Sequence, residues 1–573
     1  METEMQTRTA SKVRSVRPVG TRAVLAELDG LQDVLTLQAM LFESPLPGQV
    51  DVLAAAETVM VVGESAQATR AIGALLLDLE LTGPVENHGG LVVIDTVYDG
   101  DDLADVAELT GLGVDGVIAA HTGQIWTVAF AGFAPGFGYM VGENDALDVP
   151  RRSSPRTAVP AGSVALGGQY SAVYPRRSPG GWQLIGRTGA RMWDLDRPQP
   201  ALVRPGNRVQ FRAVRDVVTV APAEAVAPVP DAGTEPAAAA YAAAASAGIR
   251  IVAPGALSLI EDLGRRGYGP LGVSAAGALD RESLRRANRL VGNSPTAAAV
   301  ETVNGGLVVE AVGDQVIAVA GAPATLTIQS PSGIWVENGE TFDGEASEGE
   351  LQPGPQRTVS MATPFALLDG EVLAIGAPES GFRTYLAIRG GADVPAALGS
   401  RSSDTMSGIG PAPLAPGQFL PVGTDTASAA VGSPELQPGF PELGGESGIT
   451  VLDIIPGPRE DWFEPSALDS LCSQSWQVTP QSNRVGMRLA GEPLRRSRDG
   501  ELPSEGTMAG AIQIPPAGLP VLFLADHPIT GGYPVIGVVA DEHLDRAAQV
   551  PIGGSIRFRI SPNYEVPSRK VSI

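Results

Sequence analysis

Arg156-Thr157-Ala158-Val159-Pro160-Ala161-Gly162-Ser163-Val164-Ala165 opens a stretch that continues through Gly168-Gln169-Tyr170 and Tyr174-Pro175. It ends in Ser178-Pro179-Gly180-Gly181-Trp182-Gln183-Leu184-Ile185-Gly186-Arg187-Thr188. Proline and glycine punctuate it every few residues, and the runs between them are short and β-prone. It therefore reads as strands joined by turns, not as helix. The glycine pair permits close backbone approach to a ligand, with Trp182 as a wall beside it. A series of β-turns around a packed tryptophan gives the same pattern.

A second copy lies near the C-terminus. Thr530-Gly531-Gly532-Tyr533-Pro534-Val535-Ile536-Gly537 mirrors Pro179–Gly186, and each is preceded by Pro-Ala-Gly, at 516–518 and 160–162. Upstream, Trp126-Thr127-Val128 and Gly136-Phe137 have counterparts in Trp476-Gln477-Val478 and Gly486-Met487 at the same spacing. Downstream, Pro205–Phe211 matches Ile552–Phe558. Landmarks in one order imply one β-module used twice, with a period too long for a solenoid. The expected architecture is two related β-barrels facing each other.

The 573 residues suffice for three or four domains, and 70 glycines and 48 prolines with few aromatics favour strands and turns. A net charge of −24 argues against nucleic acid or an anionic membrane as partner. Met1–Ser15 has no apolar centre, and no run approaches the ~20 apolar residues of a membrane span, so a soluble cytoplasmic protein is expected. Cys472 is the sole cysteine, which rules out an internal disulfide and a cysteine-rich metal site. It reads as a buried or incidental thiol. His88, His121, His527 and His543 show no metal-ligand spacing. Lysine occurs only at Lys12 and Lys570. A P-loop, a Schiff base, a Ser-Ser-Lys amidase and a biotin carrier all need a lysine, so none is expected in the body of this chain, and covalently bound biotin is not expected. Cationic work falls to arginine.

Along the chain, 1–16 is a flexible tail and 17–112 an α+β module. Its expected elements are strands at 22–28, 58–62 and 91–96 and helices at 31–42, 67–81 and 103–112. A first barrel occupies 113–220, with 116–121 leading into it as β structure. Residues 221–248 form an Ala/Pro-rich linker, helix-forming at 237–247. Residues 249–448 are β-rich, and 449–573 form the second barrel. Within the third region Asp280 caps a helix, Arg281–Val291, stopped by Gly292-Asn293. Its arginines at 281, 285, 286 and 289 read as solvated or paired with carboxylates.

His121, Gly132-Phe133-Ala134-Pro135-Gly136-Phe137, Pro155-Arg156, Val159–Val164 and Ser178–Thr188 make the first half resemble allophanate hydrolase subunit 1, which is also the B component of 5-oxoprolinase. Asp262–Tyr268, Gly272–Asn293, Arg383–Gly399, Ser482-Asn483-Arg484, Gly510–Pro515 and Asp526–Pro534 make the second half similar to allophanate hydrolase subunit 2, the C component of 5-oxoprolinase. The resemblance spans nearly the whole chain outside the tail and linker. It implies a mainly β protein with an α+β N-terminal module and two cyclophilin-like β-barrels in a duplicated arrangement. It further implies the fused B and C components of an ATP-dependent 5-oxoprolinase, opening 5-oxoproline to glutamate. A separate LamB/YcsF-type subunit would complete that enzyme, with ATP and magnesium as co-substrate of the complex. The family also holds the carboxyltransferase part of biotin-dependent urea carboxylase and a pair of sporulation-kinase regulators. Carboxylation of urea or another amide, and non-enzymatic kinase regulation, are therefore the alternatives. A homo-oligomer is compatible with each. Gly138, Val485 and Met487 depart from the family pattern.

Three candidate catalytic residues follow: His121, at a strand end and a family position; Arg187, whose guanidinium can grip a carboxylate or phosphoryl group through two bonds; and Asp526, a candidate general base. The substrate-binding candidates are Phe133, Pro135, Gly136, Arg156, Gln169, Gly180, Gly181 and Trp182 in the first half. In the second they are Asn483, Arg484, Gln513, Gly531, Gly532 and Tyr533. Gln169, Gln513 and Asn483 suit an amide; the glycine turns offer N–H groups to a charged oxygen. A backbone-bonded histidine, surface ion pairs and turn caps give the same residue types. The glycine-aromatic stretches are expected at the barrel mouths, with Gln169, Arg187, Gln513 and Asp526 bordering cavities.

Overall fold

The computed structural model describes residues 11–81, 90–216, 247–331, 354–436 (except 425, 427 and 428), 448–562 (except 499 and 501) and 564. It also gives the strand pair Val336–Glu337 and Glu340–Thr341. The tail to residue 10, the linker up to 246, His88 and Lys570 lie outside the described residues.

The N-terminal module is a four-stranded sheet in the order Ser15–Val19, Ala23–Glu27, Thr58–Gly63, Gln49–Ala54, with helices Leu31–Glu43 and Ala66–Asp78. Strand side chains alternate between faces. Val24, Ala26, Val59 and Val61 join Val34, Leu37, Ile72 and Leu76 of the helices in one core. The opposite face is apolar as well: Val19, Ala23, Leu25 and Met60 pack on Phe523, Ile529, Val535 and Val538 of the last barrel. Burial on both faces explains why residues 23–26 read as a continuous apolar run.

The two barrels share one strand order. Around the first run Gln183–Arg187, Ser163–Gly167, Tyr170–Val173, Gly138–Val141, Trp126–Ala131, Arg208–Ala213 and Leu91–Thr96. Around the second run Val535–Val539, Ala511–Gln513, Val521–Phe523, Gly486–Ala490, Trp476–Val478, Ser555–Ile560 and Ile449–Pro456. Each contains one parallel pair, Arg208–Ala213 on Leu91–Thr96 and Ser555–Ile560 on Ile449–Pro456. The second is a closed barrel, and the Val97–Arg187 bridge closes the first. Side chains repeat too. Trp126 Nε1 donates to His121 O and Trp476 Nε1 to Leu471 O, each at 2.9 Å. Gln124 Oε1 accepts from Glu143 N, and Gln474 Oε1 from Glu492 N, each at 2.8 Å.

Part of the expected tail is strand, in Ser11–Lys12 and Ser15–Val19, and the helix expected at 67–81 ends at Asp78 before strand Glu80–Leu81. Three further local readings change. Leu91–Thr96 belongs to the first barrel, not to the N-terminal sheet, because its parallel partner arrives more than a hundred residues later. Residues 113–122 are helix, packed against the barrel, so His121 ends a helix and not a strand. The Pro-Ala-Gly repeats are not equivalent: 160–162 precedes its strand and 516–518 follows one. The true counterpart of Pro160-Ala161-Gly162 is Met508-Ala509-Gly510. Gly162 N donates to Tyr174 O and Gly510 N to Phe523 O, each at 2.8 Å, and both glycines have positive φ.

Between the barrels in sequence lies a sandwich of a six-stranded and a five-stranded sheet, cored by Ile251, Leu307, Val309, Ile317, Val319 and Leu386. Helix Arg281–Val291 covers the outer face of the five-stranded sheet through Leu284, Ala287 and Leu290. The Asp280 carboxylate accepts from Ser283 N at 2.9 Å, and Gly292 ends the helix in the left-handed region. Arg286 and Arg289 pair with Glu435. Where the first barrel meets the rest, Gly136 N donates to Leu271 O at 3.2 Å and Phe133 N to Thr530 Oγ1 at 3.3 Å. A Cβ on Gly132 would lie 2.0 Å from Thr530 Oγ1, so only glycine permits this approach.

Candidate functional site

A buried charged seam joins the sandwich to the second barrel. Arg484, 2% exposed, projects from the loop before Gly486–Ala490. Its Nε and Nη2 reach Asp526 Oδ2 and Oδ1 at 3.0 and 3.1 Å, its Nη1 reaches Glu301 at 2.5 Å, and its Nη2 reaches Gly277 O at 2.7 Å. Glu261 lies 3.2 Å from the same Nη2. Thr405 gives Asp526 Oδ2 two hydrogen bonds, from its N at 2.9 Å and its Oγ1 at 2.7 Å. Burial pushes Glu261 well above the usual carboxylate range, and Arg484 only partly opposes it. Glu301 is equally buried, yet Arg484, Arg383 and hydrogen bonds from Tyr385 and Leu279 bring it below that range. Burial also raises Asp526. Burial thus shifts Glu261 upward while its neighbours shift Glu301 downward, two carboxylates of one seam held in opposite directions.

Next to the seam, Ser274 Oγ donates to Asp404 at 2.8 Å. Arg265, 2% exposed, donates through Nη2 to Ser402 O, while its Nε and Nη1 have no partner among the described residues. From the first barrel Arg176 comes to this corner, where the Asp404 charge acts on it. Residues of all three bodies therefore converge here.

Above the seam opens a cleft of about 130 Å³ at the junction of the N-terminal sheet, the sandwich and the second barrel. Leu53, Met60, Val273 and Ile529 make its walls apolar; Arg22, Arg266, Arg281, Ser274 and His527 supply its polar groups. Asp541 accepts from Arg22 at 3.3 Å and lies 4.0 Å from Arg281. Asp51 is taken up by the backbone N–H groups of Val52, Gly267 and Gly269, at 2.9, 3.1 and 3.3 Å. His527 Nδ1 lies 2.9 Å from Pro528 O, and a carbonyl only accepts, so Nδ1 carries the hydrogen. Burial lowers the His527 pKa and so favours the neutral ring; with the hydrogen on Nδ1, Nε2 is then the acceptor.

Of the residues singled out from sequence, Arg484 and Asp526 meet in the seam, and Phe133, Pro135 and Gly136 lie where the first barrel meets Leu271, Gly272 and Thr530. The others stand apart. His121 is fully buried in the first barrel: Nδ1 meets Tyr98 Oη at 2.7 Å and Nε2 meets Ser171 Oγ at 2.9 Å, with Trp126 and Phe211 against the ring. A histidine so enclosed cannot touch a substrate. Arg187 is half exposed and pairs with Asp99 at 2.9 Å. Gln169 is exposed on a turn, Asn483 bonds the backbone N–H of Val485 and Gly486, and Gln513 is buried against Tyr533 O at 3.1 Å. None of Gln169, Arg187, Gln513 and Asp526 lines the described clefts. Gly180 and Gly531 lie in small two-stranded ladders outside the barrel sheets, opposite Arg156 and Glu505. Arg151 sits over Trp182 and Arg496 over Tyr533, each 5.9 Å from the ring centre.

Arg156 reveals a charge reversal between the barrels. Asp102 N donates to Leu184 O, and Arg459 N donates to Val535 O, which makes the two positions equivalent. Arg156 faces Gly180 and Glu505 faces Gly531. The first barrel has Asp102 accepting from Arg156 at 2.7 Å; the second has Arg459 donating to Glu505 at 2.9 Å. The residues that sequence reasoning missed are Glu261, Arg265, Ser274, Glu301, Arg266 and His527. Several lie in the phrases Glu261–Tyr268 and Gly272–Asp280, whose glycines signal tight turns that hold charged side chains close.

The enclosed His121 carries a pH prediction. Burial lowers its pKa to about 3, against 6.5 in an open chain. The unfolded chain then binds more protons between those values, so this site's contribution is present above pH 6.5 and lost as pH falls. The expected loss is about 1.4 kcal/mol per pH unit in that window. Asp280, pushed up to about 6 by burial, has the opposite sign, so the comparison must be with a variant. His121→Gln should flatten the acid limb of urea midpoint against pH. An unchanged limb would place the titration elsewhere.

Among the described residues no group of three or more His, Cys, Asp or Glu side chains is arranged to hold a metal ion, and no helix is long and apolar enough to cross a membrane. Residues 271–560 match the carboxyltransferase domain, subdomain A and B, and residues 14–203 match the carboxyltransferase domain, subdomain C and D. The second half is similar to the 5-oxoprolinase C component of Escherichia coli (strain K12), 34% identical over 313 residues, 54% of this chain and 90% of that one. Another part of the chain is similar to the 5-oxoprolinase B component of Escherichia coli O157:H7, 41% identical over 157 residues, 27% of this chain and 72% of that one. The crystal structure of TTHA0988 covers 94% of this chain and 99% of that one at 30% identity, with a TM-score of 0.76.

Proposed function

Because the chain belongs to the carboxyltransferase-domain family, with subdomains C and D at 14–203 and A and B at 271–560, we propose that it is a fused B and C component of an ATP-dependent 5-oxoprolinase. One observation carries this reading: relatives named as the B and C components of that enzyme match successive parts of a single chain. The convergence of all three bodies on one corner supports it, since a site divided between two polypeptides is what a fusion would unite. The reaction opens a lactam, which must lose amide resonance. Transfer of the ATP γ-phosphoryl group to the carbonyl oxygen leaves ADP and lets one water add at carbon. The C–N bond then breaks as the nitrogen takes a proton, leaving the γ-acyl phosphate of glutamate, and a second water hydrolyses this to glutamate and phosphate. Glu261, Asp526, Arg484 and Arg265 are as enclosed as His121, so the seam acts through the shape and charge it gives this corner. The groups open to a ligand are those of the cleft, among them Arg266, Arg281, Ser274 and His527. The cleft is near the size of the ~150 Å³ cavity that accepts benzene, so a nucleotide does not fit within it. In this reading ATP with magnesium is co-substrate of the complex with a LamB/YcsF-type partner, the enzyme's A component, and binds outside this cleft.

The test is glutamate release from 5-oxoproline with ATP, with and without that third polypeptide. Release only in the full complex is the expected result. Arg187→Lys should leave the rate within about twofold, as for a surface ion pair. A second reading is favoured by the family description itself: a carboxyltransferase component that receives carboxyl groups from a separate biotin carrier. Carboxylation of urea or another amide without glutamate release would establish it and overturn the first.

A further inference from the structure

The junction cleft has more positive charge than its own carboxylates can balance. Asp541 serves Arg22 and Arg281 together, and Asp51 is engaged by three backbone N–H groups. Arg266 has no ion pair or hydrogen bond among the described residues, although Arg281 and Arg22 lie close enough for their like charges to act on it. Guanidinium groups only donate, so this rim selects an anion, and a planar carboxylate or an equivalent oxyanion suits it best. The walls select differently. Met60, Val273 and Ile529 are apolar, and His527, its Nδ1 hydrogen committed to Pro528 O, has no hydrogen bond at Nε2 among the described residues. The occupant must therefore combine a negative group, a small apolar body and an N–H donor.

We propose that this cleft binds a ring-sized carboxylic acid bearing an N–H, its carboxylate gripped by Arg266 with Arg281 beside it, its ring against Met60 and Ile529, and its N–H donated to His527 Nε2. The assignment rests on the oxoprolinase reading for the choice of 5-oxoproline as occupant, and on the cleft alone for the class. It makes Arg266 and His527 specificity-determining residues, drawn from opposite sides of the junction. It also gives the N-terminal sheet a part in binding, through Arg22 and Met60.

Binding to the full chain, read by isothermal titration with no other polypeptide present, separates the two claims. The probes are 5-oxoproline, 2-pyrrolidinone, which keeps the N–H and loses the carboxylate, and cyclopentanecarboxylate, which does the reverse. The expected order is 5-oxoproline first, cyclopentanecarboxylate weaker by about tenfold, and 2-pyrrolidinone weakest. Arg266→Gln, an exposed position whose variant should melt as the parent does, should weaken both acids at least tenfold and leave 2-pyrrolidinone unchanged. His527→Phe should erase the advantage of 5-oxoproline over cyclopentanecarboxylate. If acids bind and Arg266→Gln weakens them, but the complete complex releases no glutamate, the cleft stands and the oxoprolinase reading falls. If glutamate is released and Arg266→Gln neither weakens binding nor slows turnover, the cleft assignment falls and the function stands. Failure of every probe to bind the wild-type chain also overturns the assignment.

Discussion

Replacing Arg484 by methionine is expected to cost about 3–5 kcal/mol of stability. The guanidinium is the countercharge for Glu301 and Asp526, and it ties the second barrel to the sandwich through both and through Gly277 O. Methionine keeps much of the apolar stem, so the loss reports the uncompensated carboxylates more than a cavity. Lysine should recover only a minor part, because one ammonium cannot meet Asp526 through two bonds and reach Glu301 as well. The triple change Arg484→Met, Glu301→Gln, Asp526→Asn should recover most of the loss, since the penalty lies in leaving charges unpaired, not in lacking an ion pair. Urea unfolding with linear extrapolation measures all three. A loss of less than about 1 kcal/mol for Arg484→Met would show that the freed carboxylates simply take up protons, and that Arg484 does not hold the seam together.

Arg459→Met is expected to cost about 3 kcal/mol, by the same physics at a different seam. Its Nη1 lies 2.5 Å from Glu27 of the N-terminal sheet, and its Nε lies 2.9 and 3.0 Å from the two oxygens of Glu505. Burial alone would raise Glu27, but hydrogen bonds from Ser15 and Arg459 and the charges of Arg459 and Arg17 outweigh it and bring the pKa down to about 2. Glu505 feels the same arginine and is nevertheless raised by burial. Glu27 is thus the carboxylate whose ionisation stabilises the fold. That contribution is full above about pH 4.5 and disappears as pH falls towards 2. Arg459→Met should therefore be costliest near neutrality and converge with the parent in acid. Adding Glu505→Gln should restore part of the loss and give a measurable coupling in a double-mutant cycle. A deficit that stays constant from pH 7 to pH 3 would mean that packing, not charge, is what Arg459 provides.

Duplication was legible because a few residues carry geometry that the barrel cannot do without. Trp126 and Trp476 each cap a preceding helix carbonyl from inside a core, and the Gly-Gly-aromatic stretches make the same turn twice. Pro-Ala-Gly misled, because two unrelated turns chose the same residues while the true counterpart reads Met-Ala-Gly. Helix Arg281–Val291 could be read to the residue, since its cap, its stripe and its terminating glycine are all local. Leu91–Thr96 could not be assigned, because a parallel pairing leaves no mark in either strand. The site was least legible. Glu261, Glu301, Arg484 and Asp526 are scattered over more than 260 residues, and each in isolation looks like an ordinary surface charge. Only folding shows that they share one buried arginine. His121 and Arg187 show the opposite limit: a memorable phrase does not say that His121 is enclosed in a core or that Arg187 pairs with Asp99 at the surface.

The second apolar face of the N-terminal sheet has a consequence in time. Leu25 and Met60 emerge from the ribosome early, whereas Val535 and Val538, which cover them, follow roughly 480 residues later. At about 5–20 residues per second, that face waits roughly 25–100 s for its cover. Throughout this interval the nascent chain carries a sticky, half-finished surface. A ribosome stalled anywhere in the sandwich would leave that face uncovered in its product.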